Sequence, residues 1–140
     1  MPLGRCVAAM LLASLPISAW AGPLEDFFEN KIRPVLAEQC LKCHSEGEGR
    51  KVKGGLRLDS RAALLKGGES GPAIIPGDPE KSLIIKVIRY QDDLQMPPKG
   101  KLPREQVASI RLWVKAGAPW PGATTGPNKT ATTNSGPNGQ

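Results

Sequence analysis

The sequence predicts a small, mainly α domain of three to four helices joined by irregular loops, and three observations carry that prediction. Apolar residues recur at helical spacing in three separate stretches: Leu24, Phe27, Phe28 and Ile32, then Leu83, Ile84, Val87 and Ile88, then Val107, Ile110, Trp113 and Val114. The segments between them are rich in Gly, Pro and charge, which breaks regular structure. A compact run, Cys40-Leu41-Lys42-Cys43-His44, follows directly on the first of these stretches. With 140 residues, 39% hydrophobic and 23% charged, the chain has room for one such domain.

Residues 1–21 read as a secretory leader: Arg5 in the n-region, an apolar run over 7–17, and Ala19-Trp20-Ala21 as a small-x-small cleavage site. The alternative is an uncleaved anchor, but the run contains Pro16 and falls short of the ~20 apolar residues a spanning helix needs. Cys6 lies ahead of the apolar run, which argues against a lipoprotein cysteine. The expected location is therefore periplasmic or otherwise exported, with no stable membrane insertion after cleavage. Cleavage takes away one basic residue, Arg5, and no acidic one, so the mature chain stays basic, as the whole chain is at +6. Without a nucleic-acid motif or an Arg-rich helix, that charge points to docking on an acidic protein surface and not to nucleic acid.

The domain is expected over residues 22–120. Its first helix starts at Leu24, with Glu25 and Asp26 in the first turn where the helix dipole favours acids. Pro34 is expected to kink or restart it, after which Val35, Leu36 and Cys40 share a face. Phe27 and Phe28 read as core, one of them a candidate for contact with a cofactor edge. Residues 45–55 are a polar, Gly-rich loop. Leu56 and Leu58 alternate with Arg57 and Asp59, so a short extended piece presents two leucines to the same face. Ser60 can N-cap a brief helix over 61–66 that Gly67-Gly68 stops.

Gly71-Pro72 and Pro76-Gly77 flank Ala73-Ile74-Ile75, which reads as an apolar touch on the core between two turns. Asp78 as N-cap and Pro79 at the first helical position open the next helix, which ends near Tyr90. Pro103 opens the last helix, whose apolar face Leu112 broadens before Gly117 ends it. Trp113 is expected in the core against the first helix; Trp120 either folds back or lies on the surface. Residues 121–140 collapse to Gly, Thr, Asn, Pro, Ser and Ala with one charge, Lys129, and are expected to be a disordered low-complexity tail.

Two stretches carry chemistry. Cys-x-x-Cys-His is the attachment sequence for one c-type haem: two thiols on one turn form thioethers with the vinyl groups, and the adjacent imidazole ligates the iron. His44 is the sole histidine of the sequence, and Cys40 and Cys43 are the thiols outside the leader. The rivals are half a zinc site, which needs four ligands and finds three of the Cys/His type, and a thioredoxin-like pair, whose βαβ setting is missing. A covalently held cofactor also supplies apolar core to a short chain with 4% aromatic residues.

The second stretch is Met96-Pro97-Pro98 in a polar loop, where a core-filling methionine is not expected. The prolines fix extended backbone and so hold a thioether in place at low entropic cost. With no second histidine, the distal choices reduce to Met96, a lysine or an open position. Met96 is thus a candidate second iron ligand, with packing alone as the alternative. Arg57 is a candidate partner for a haem propionate, with a solvated arginine as the alternative. Asp92 and Asp93, adjacent on a loop, read as solvated charges and not as a catalytic pair.

The order of these parts resembles a class I cytochrome c domain and, more closely, the planctomycete-type cytochrome c domain. The resemblance runs from about Leu24 to Trp120. It rests on the Phe28–Leu36 segment before Cys40-Leu41-Lys42-Cys43-His44, Gly55-Leu56-Arg57-Leu58-Asp59, Pro76-Gly77-Asp78-Pro79-Glu80-Lys81-Ser82-Leu83, Met96-Pro97-Pro98 and Trp113-Val114-Lys115-Ala116-Gly117-Ala118-Pro119-Trp120. It implies a helical fold around one haem. In that family the domain usually resembles an N-terminal module of much larger proteins. The expected function is one-electron transfer by an electron carrier that is not itself an enzyme, through a His44/Met96-ligated haem. The alternative is a haem enzyme or ligand sensor with an open or displaceable distal site. Lys42, Arg50, Lys51, Lys53, Lys99 and Lys101 cluster in sequence around the two ligand segments, so a positive rim facing an acidic redox protein is expected.

Overall fold

A computed structural model describes residues 22–47, 49 and 51–123. The expected leader at 1–21 and residues 124–140 of the expected tail lie outside the described residues. Among the described residues the regular structure is helical, apart from single-residue bridges, at Gly47 and, antiparallel, between Gly68 and Gly71, and no helix is long and apolar enough to cross a membrane.

The first helical run opens with α1 (Pro23–Phe27) and continues without a break through Phe28–Ile32, α2 (Arg33–Val35) and Leu36–Cys40. The kink expected at Pro34 is not a break. Phe28–Ile32 and Leu36–Cys40 are π-helical, with the Arg33 N–H donating to the Phe28 carbonyl and the Leu41 N–H to the Leu36 carbonyl at 2.9 Å. A proline inside a helix removes one donor and crowds the preceding turn; widened π turns on either side absorb both faults. Ile32, at φ −100 and ψ −53, takes up the local distortion.

The run buries Phe28, Ile32, Val35 and Leu36. Phe28 lies 4.5 Å from the Trp120 ring centroid and 5.9 Å from that of Trp113, both pairs tilted, and the two indoles lie 6.4 Å apart. Tilted aromatic pairs of this kind add about 0.5–1.5 kcal/mol each beyond the area they bury. Trp113 is fully buried and its indole N–H donates to the Pro119 carbonyl at 2.8 Å, so the one polar atom of the ring is satisfied. Trp120 therefore folds back onto the domain. Arg33 caps the cluster, its guanidinium 4.9 Å from the Phe28 centroid while also paired with Glu29.

Ser60 caps α3 (Arg61–Lys66) as the sequence predicts, accepting the Ala63 N–H at 3.2 Å. Arg61 reaches across to the carbonyls of Ala118 at 3.0 Å and Gly117 at 3.2 Å, tying this helix to the far end of the chain. Ala73 and Ile74 are buried as expected, whereas Ile75 is exposed. The next helix starts later than its sequence signal. Asp78 does accept an N–H three residues on, that of Lys81 at 3.2 Å, but it closes only a turn. The helix α4 is Leu83–Ile88, with Ser82 ahead of it. Ser82 is fully buried, accepts from the Ile75 N–H at 2.8 Å and donates to the Asp78 carbonyl at 2.8 Å. A buried hydroxyl needs partners, and satisfying them bends the chain between Asp78 and Leu83.

Helix α5 (Arg104–Lys115) packs Ile110, Trp113 and Val114 inward. Leu112 does not broaden that face and stands 58% exposed. At about 100° per residue it falls roughly 150° from the mean direction of those three side chains. Leu24 is likewise exposed, on the outer side of α1. Glu80 links the elements: Arg89 pairs with it at 2.7 Å and Arg111 of α5 at 2.9 Å. These hydrogen bonds, Arg89 first, hold its carboxyl down to about 2 from an ordinary 4.5. A depressed carboxylate contributes stability that is present above its unfolded value and lost as pH falls through the folded one. Glu80→Gln is thus expected to flatten the loss of stability between pH 4.5 and about 2 relative to wild type, read from denaturant midpoints across that range. An acid limb identical in the two proteins would contradict it.

Candidate functional site

Cys40 is the last residue of the first helical run, and the chain turns over its carbonyl, which accepts from the N–H groups of Cys43 at 3.1 Å and His44 at 3.0 Å. The turn is finished by Ser45, whose hydroxyl donates to the Leu41 carbonyl at 2.6 Å. The helix C-terminus thus uses the Cys-x-x-Cys-His run to satisfy its own end carbonyls. That places both thiols and the imidazole at one end of the run.

The chain then loops out and returns alongside. Lys53 N–H donates to the Cys43 carbonyl at 3.1 Å and Leu58 N–H to the His44 carbonyl at 2.8 Å. Between these two bonds, His44 Nδ1 lies 2.9 Å from the Leu56 carbonyl oxygen. A carbonyl only accepts, so the bond requires the proton on Nδ1, and the neutral ring that makes it keeps its lone pair on Nε2, the form a metal-ligating imidazole takes. The return is sharp because Gly54 and Gly55, in a short 3₁₀ turn Lys53–Gly55, both sit at φ +60.

A cavity of about 350 Å³ opens over this end of the helix. Cys40, Cys43 and His44 line it together with Met96, Pro97 and Pro98, which the sequence separates from them by some fifty residues. Leu56 and Leu58 form another part of the wall, as their alternation predicts, and α4 supplies Ile84, Val87 and Ile88. Met96 is held there by its own N–H, which donates to the Val87 carbonyl at 3.1 Å. Cys40 and Cys43 are both free thiols, and burial pushes the Cys40 thiol up to about 11. A neutral, shielded thiol at Cys40 is a slow nucleophile for disulfide exchange. Among the described residues no cluster of three or more His, Cys, Asp or Glu is arranged to hold a bare metal ion.

The donors present, two unpaired thiols, one imidazole with a free Nε2 and one thioether around an apolar space, fit a haem c. Arg57 is not among the lining residues. It borders a separate hollow, with its guanidinium on Glu46 at 2.9 Å and Asp59 at 3.1 Å. Neither Phe27 nor Phe28 lines the cavity, because Phe28 is taken up by the two tryptophans. Of the basic residues, Lys42, Lys51, Lys53, Lys99 and Lys101 are exposed, and Lys53 borders the cavity; Arg50 lies outside the described residues.

Sequence reading missed the Leu56 carbonyl, since a main-chain acceptor leaves no mark in residue type. Gly54-Gly55 was the available signal. It missed Gly68 as well: a Cβ there would stand 2.4 Å from the Gly54 carbonyl oxygen and 2.9 Å from Leu56 N, so the absent side chain is what lets the turn carrying Leu56 sit so close.

No curated protein and no solved structure matches the chain. Residues 40–100 match the family model described as Planctomycete cytochrome C, a span that begins at Cys40 and includes His44, Leu56 and Met96. This part of the chain is a planctomycete-type cytochrome c domain.

Proposed function

We propose that the protein is an exported electron carrier with one covalently held haem c, attached through Cys40 and Cys43 and ligated by His44 and Met96. The observation that supports it most is the convergence on one apolar cavity of the Cys-x-x-Cys-His turn, with His44 Nε2 left free, and the distant Met96-Pro97-Pro98 segment. Haem bound there would supply a one-electron ferrous/ferric couple, and an axial thioether favours the ferrous form.

The chain's own residues hold and tune that couple. Cys40 and Cys43 keep the cofactor from dissociating outside the cell. The Leu56 carbonyl fixes the tautomer and orientation of His44, which makes the imidazole a stronger donor. The wall of Leu58, Ile84, Val87 and Ile88 excludes water from the metal's surroundings. Lys42, Lys51, Lys53, Lys99 and Lys101 are proposed to guide an acidic redox partner to the cavity mouth, an attraction that weakens as salt rises. Export rests on the leader-like features of residues 1–21.

The test is an absorption spectrum of the protein exported from a host with haem-attachment machinery. Wild type is expected to carry covalent haem, to be low-spin in both oxidation states and to show the near-infrared Met-to-iron band when oxidised. In Met96→Ala that band disappears while the haem stays covalent. A wild-type protein without covalent haem sinks the proposal. So does a five-coordinate, high-spin haem that binds carbon monoxide rapidly and lacks a reversible one-electron wave.

A further inference from the structure

The segment that brings Met96 to the cavity has few ways to fasten itself. Residues 91–95 are all exposed, and Pro97 and Pro98 have no N–H to donate. Its main-chain handles near the methionine are the Met96 N–H, which the Val87 carbonyl takes at 3.1 Å, and the Pro97 carbonyl. Val87 lies in the last turn of α4, whose carbonyls have no acceptor role left inside the helix. The Pro97 carbonyl is taken by the hydroxyl of Tyr90, two residues beyond the end of the same helix, and more weakly by the Gly100 N–H at 3.3 Å. Pro97 itself is buried, so without the tyrosine its carbonyl would lose its closer partner away from bulk water.

Tyr90 also sits at φ +58, a left-handed conformation that is strained for a non-glycine residue. Glycine would meet that backbone requirement without strain but would carry no hydroxyl. The end of α4 therefore grips the methionine loop at two points, one main chain and one side chain.

We propose that Tyr90 is a positioning residue whose hydroxyl latches Met96-Pro97-Pro98 over the cavity and sets how readily Met96 gives way to an outside ligand. The proposal rests on the assignment of Met96 as an iron ligand. It connects the two ends of a range of behaviour: with the latch closed the site is a closed electron-transfer centre, and with it released a small ligand reaches the metal.

The experiment compares wild-type and Tyr90→Phe holoproteins in the ferric state, using imidazole as the probe and absorbance titration and stopped-flow mixing as readouts. Phenylalanine keeps the ring and removes the oxygen. Tyr90→Phe is expected to bind imidazole about tenfold more tightly and to lose its near-infrared band at lower imidazole, an effect the size of one hydrogen bond to a buried acceptor. Arg111→Gln, which breaks an ion pair elsewhere in the domain, is expected to leave imidazole affinity at the wild-type value. Equal affinity in wild type and Tyr90→Phe, with the near-infrared band present in both, overturns the latch alone. A matching gain in Arg111→Gln overturns it too, since general loosening would then explain the effect. A wild type without the band overturns the ligand assignment and the latch together.

Discussion

His44→Ala is expected to lose ten- to a hundredfold or more of the haem-loaded protein, and none of what remains should be low-spin. Groups that merely orient a metal ligand are worth 10–100-fold in metal affinity, and removing the ligand itself, the role proposed for His44, costs at least as much. Nothing in the chain can substitute in kind, because His44 is its sole histidine. The loss reaches beyond the metal. His44 Nδ1–H is the donor for the Leu56 carbonyl at 2.9 Å, so alanine also leaves that carbonyl without the imidazole and loosens the Gly54-Gly55 turn. Met96→Ala lacks this second consequence, since Met96 is anchored through its main chain, which the substitution retains. The two variants should therefore separate: Met96→Ala keeps normal yields of covalent haem with an altered spectrum, while His44→Ala fails on both counts. Haem staining after denaturing electrophoresis, with absorption spectra of the purified proteins, makes the comparison. A His44→Ala protein with a wild-type spectrum would show that another group holds the iron.

What could be read from the residues alone divides along a physical line. Side-chain patterns were legible: the three amphipathic stretches became helices, Ser60 became a cap, and the inward face of α5 holds Ile110, Trp113 and Val114. The members of the cavity were legible because their chemistry is rare in the chain, one histidine and two cysteines beyond residues 1–21. Errors of position arose where one local signal competed with another. Asp78 carries the N-cap signal, yet the buried Ser82 hydroxyl binds backbone on both sides of it and delays the helix to Leu83. Leu112 is apolar but lies on the wrong side of a 3.6-residue period. Arg57 is a different matter: it sits between Leu56 and Leu58 of the cavity wall, its guanidinium is engaged by Glu46 and Asp59, and nothing in that placement decides between a propionate partner and a solvated arginine. What stayed illegible was everything done by main-chain carbonyls: Leu56 on His44, Val87 on Met96, Pro97 under Tyr90. Those groups are common to every residue, and only the folded path selects which of them matter.

Gly67→Ala is expected to be the most damaging Gly-to-Ala change among the glycines whose surroundings are described. Gly67 has φ +73 and ψ −168, a region essentially restricted to glycine. A Cβ there would lie 1.9 Å from the Gly71 carbonyl oxygen, 2.3 Å from its carbon and 2.5 Å from Pro72 N, all of them backbone atoms. The obstructing segment cannot step aside cheaply. Gly68 and Gly71 exchange hydrogen bonds at 3.1 and 3.0 Å, and Ala73 N–H is bound to the Leu64 carbonyl at 2.9 Å. Backbone strain alone costs about 1–3 kcal/mol, and opening this half-buried bridge adds the loss of its hydrogen bonds, for a total of roughly 4 kcal/mol. Domains of this size hold only about 5–15 kcal/mol in reserve. The damage also travels to the site, because Gly68 and Gly71 line the cavity and Gly68 packs on the turn that presents Leu56 to His44. Gly71→Ala provides the contrast: φ is +91 there, but nothing lies within 4 Å of the added carbon, so only the conformational cost of about 1 kcal/mol applies. Denaturant midpoints should thus place Gly67→Ala far below Gly71→Ala, and equal losses in the two would mean that the close approach of the 71–72 backbone to Gly67 does not hold the fold.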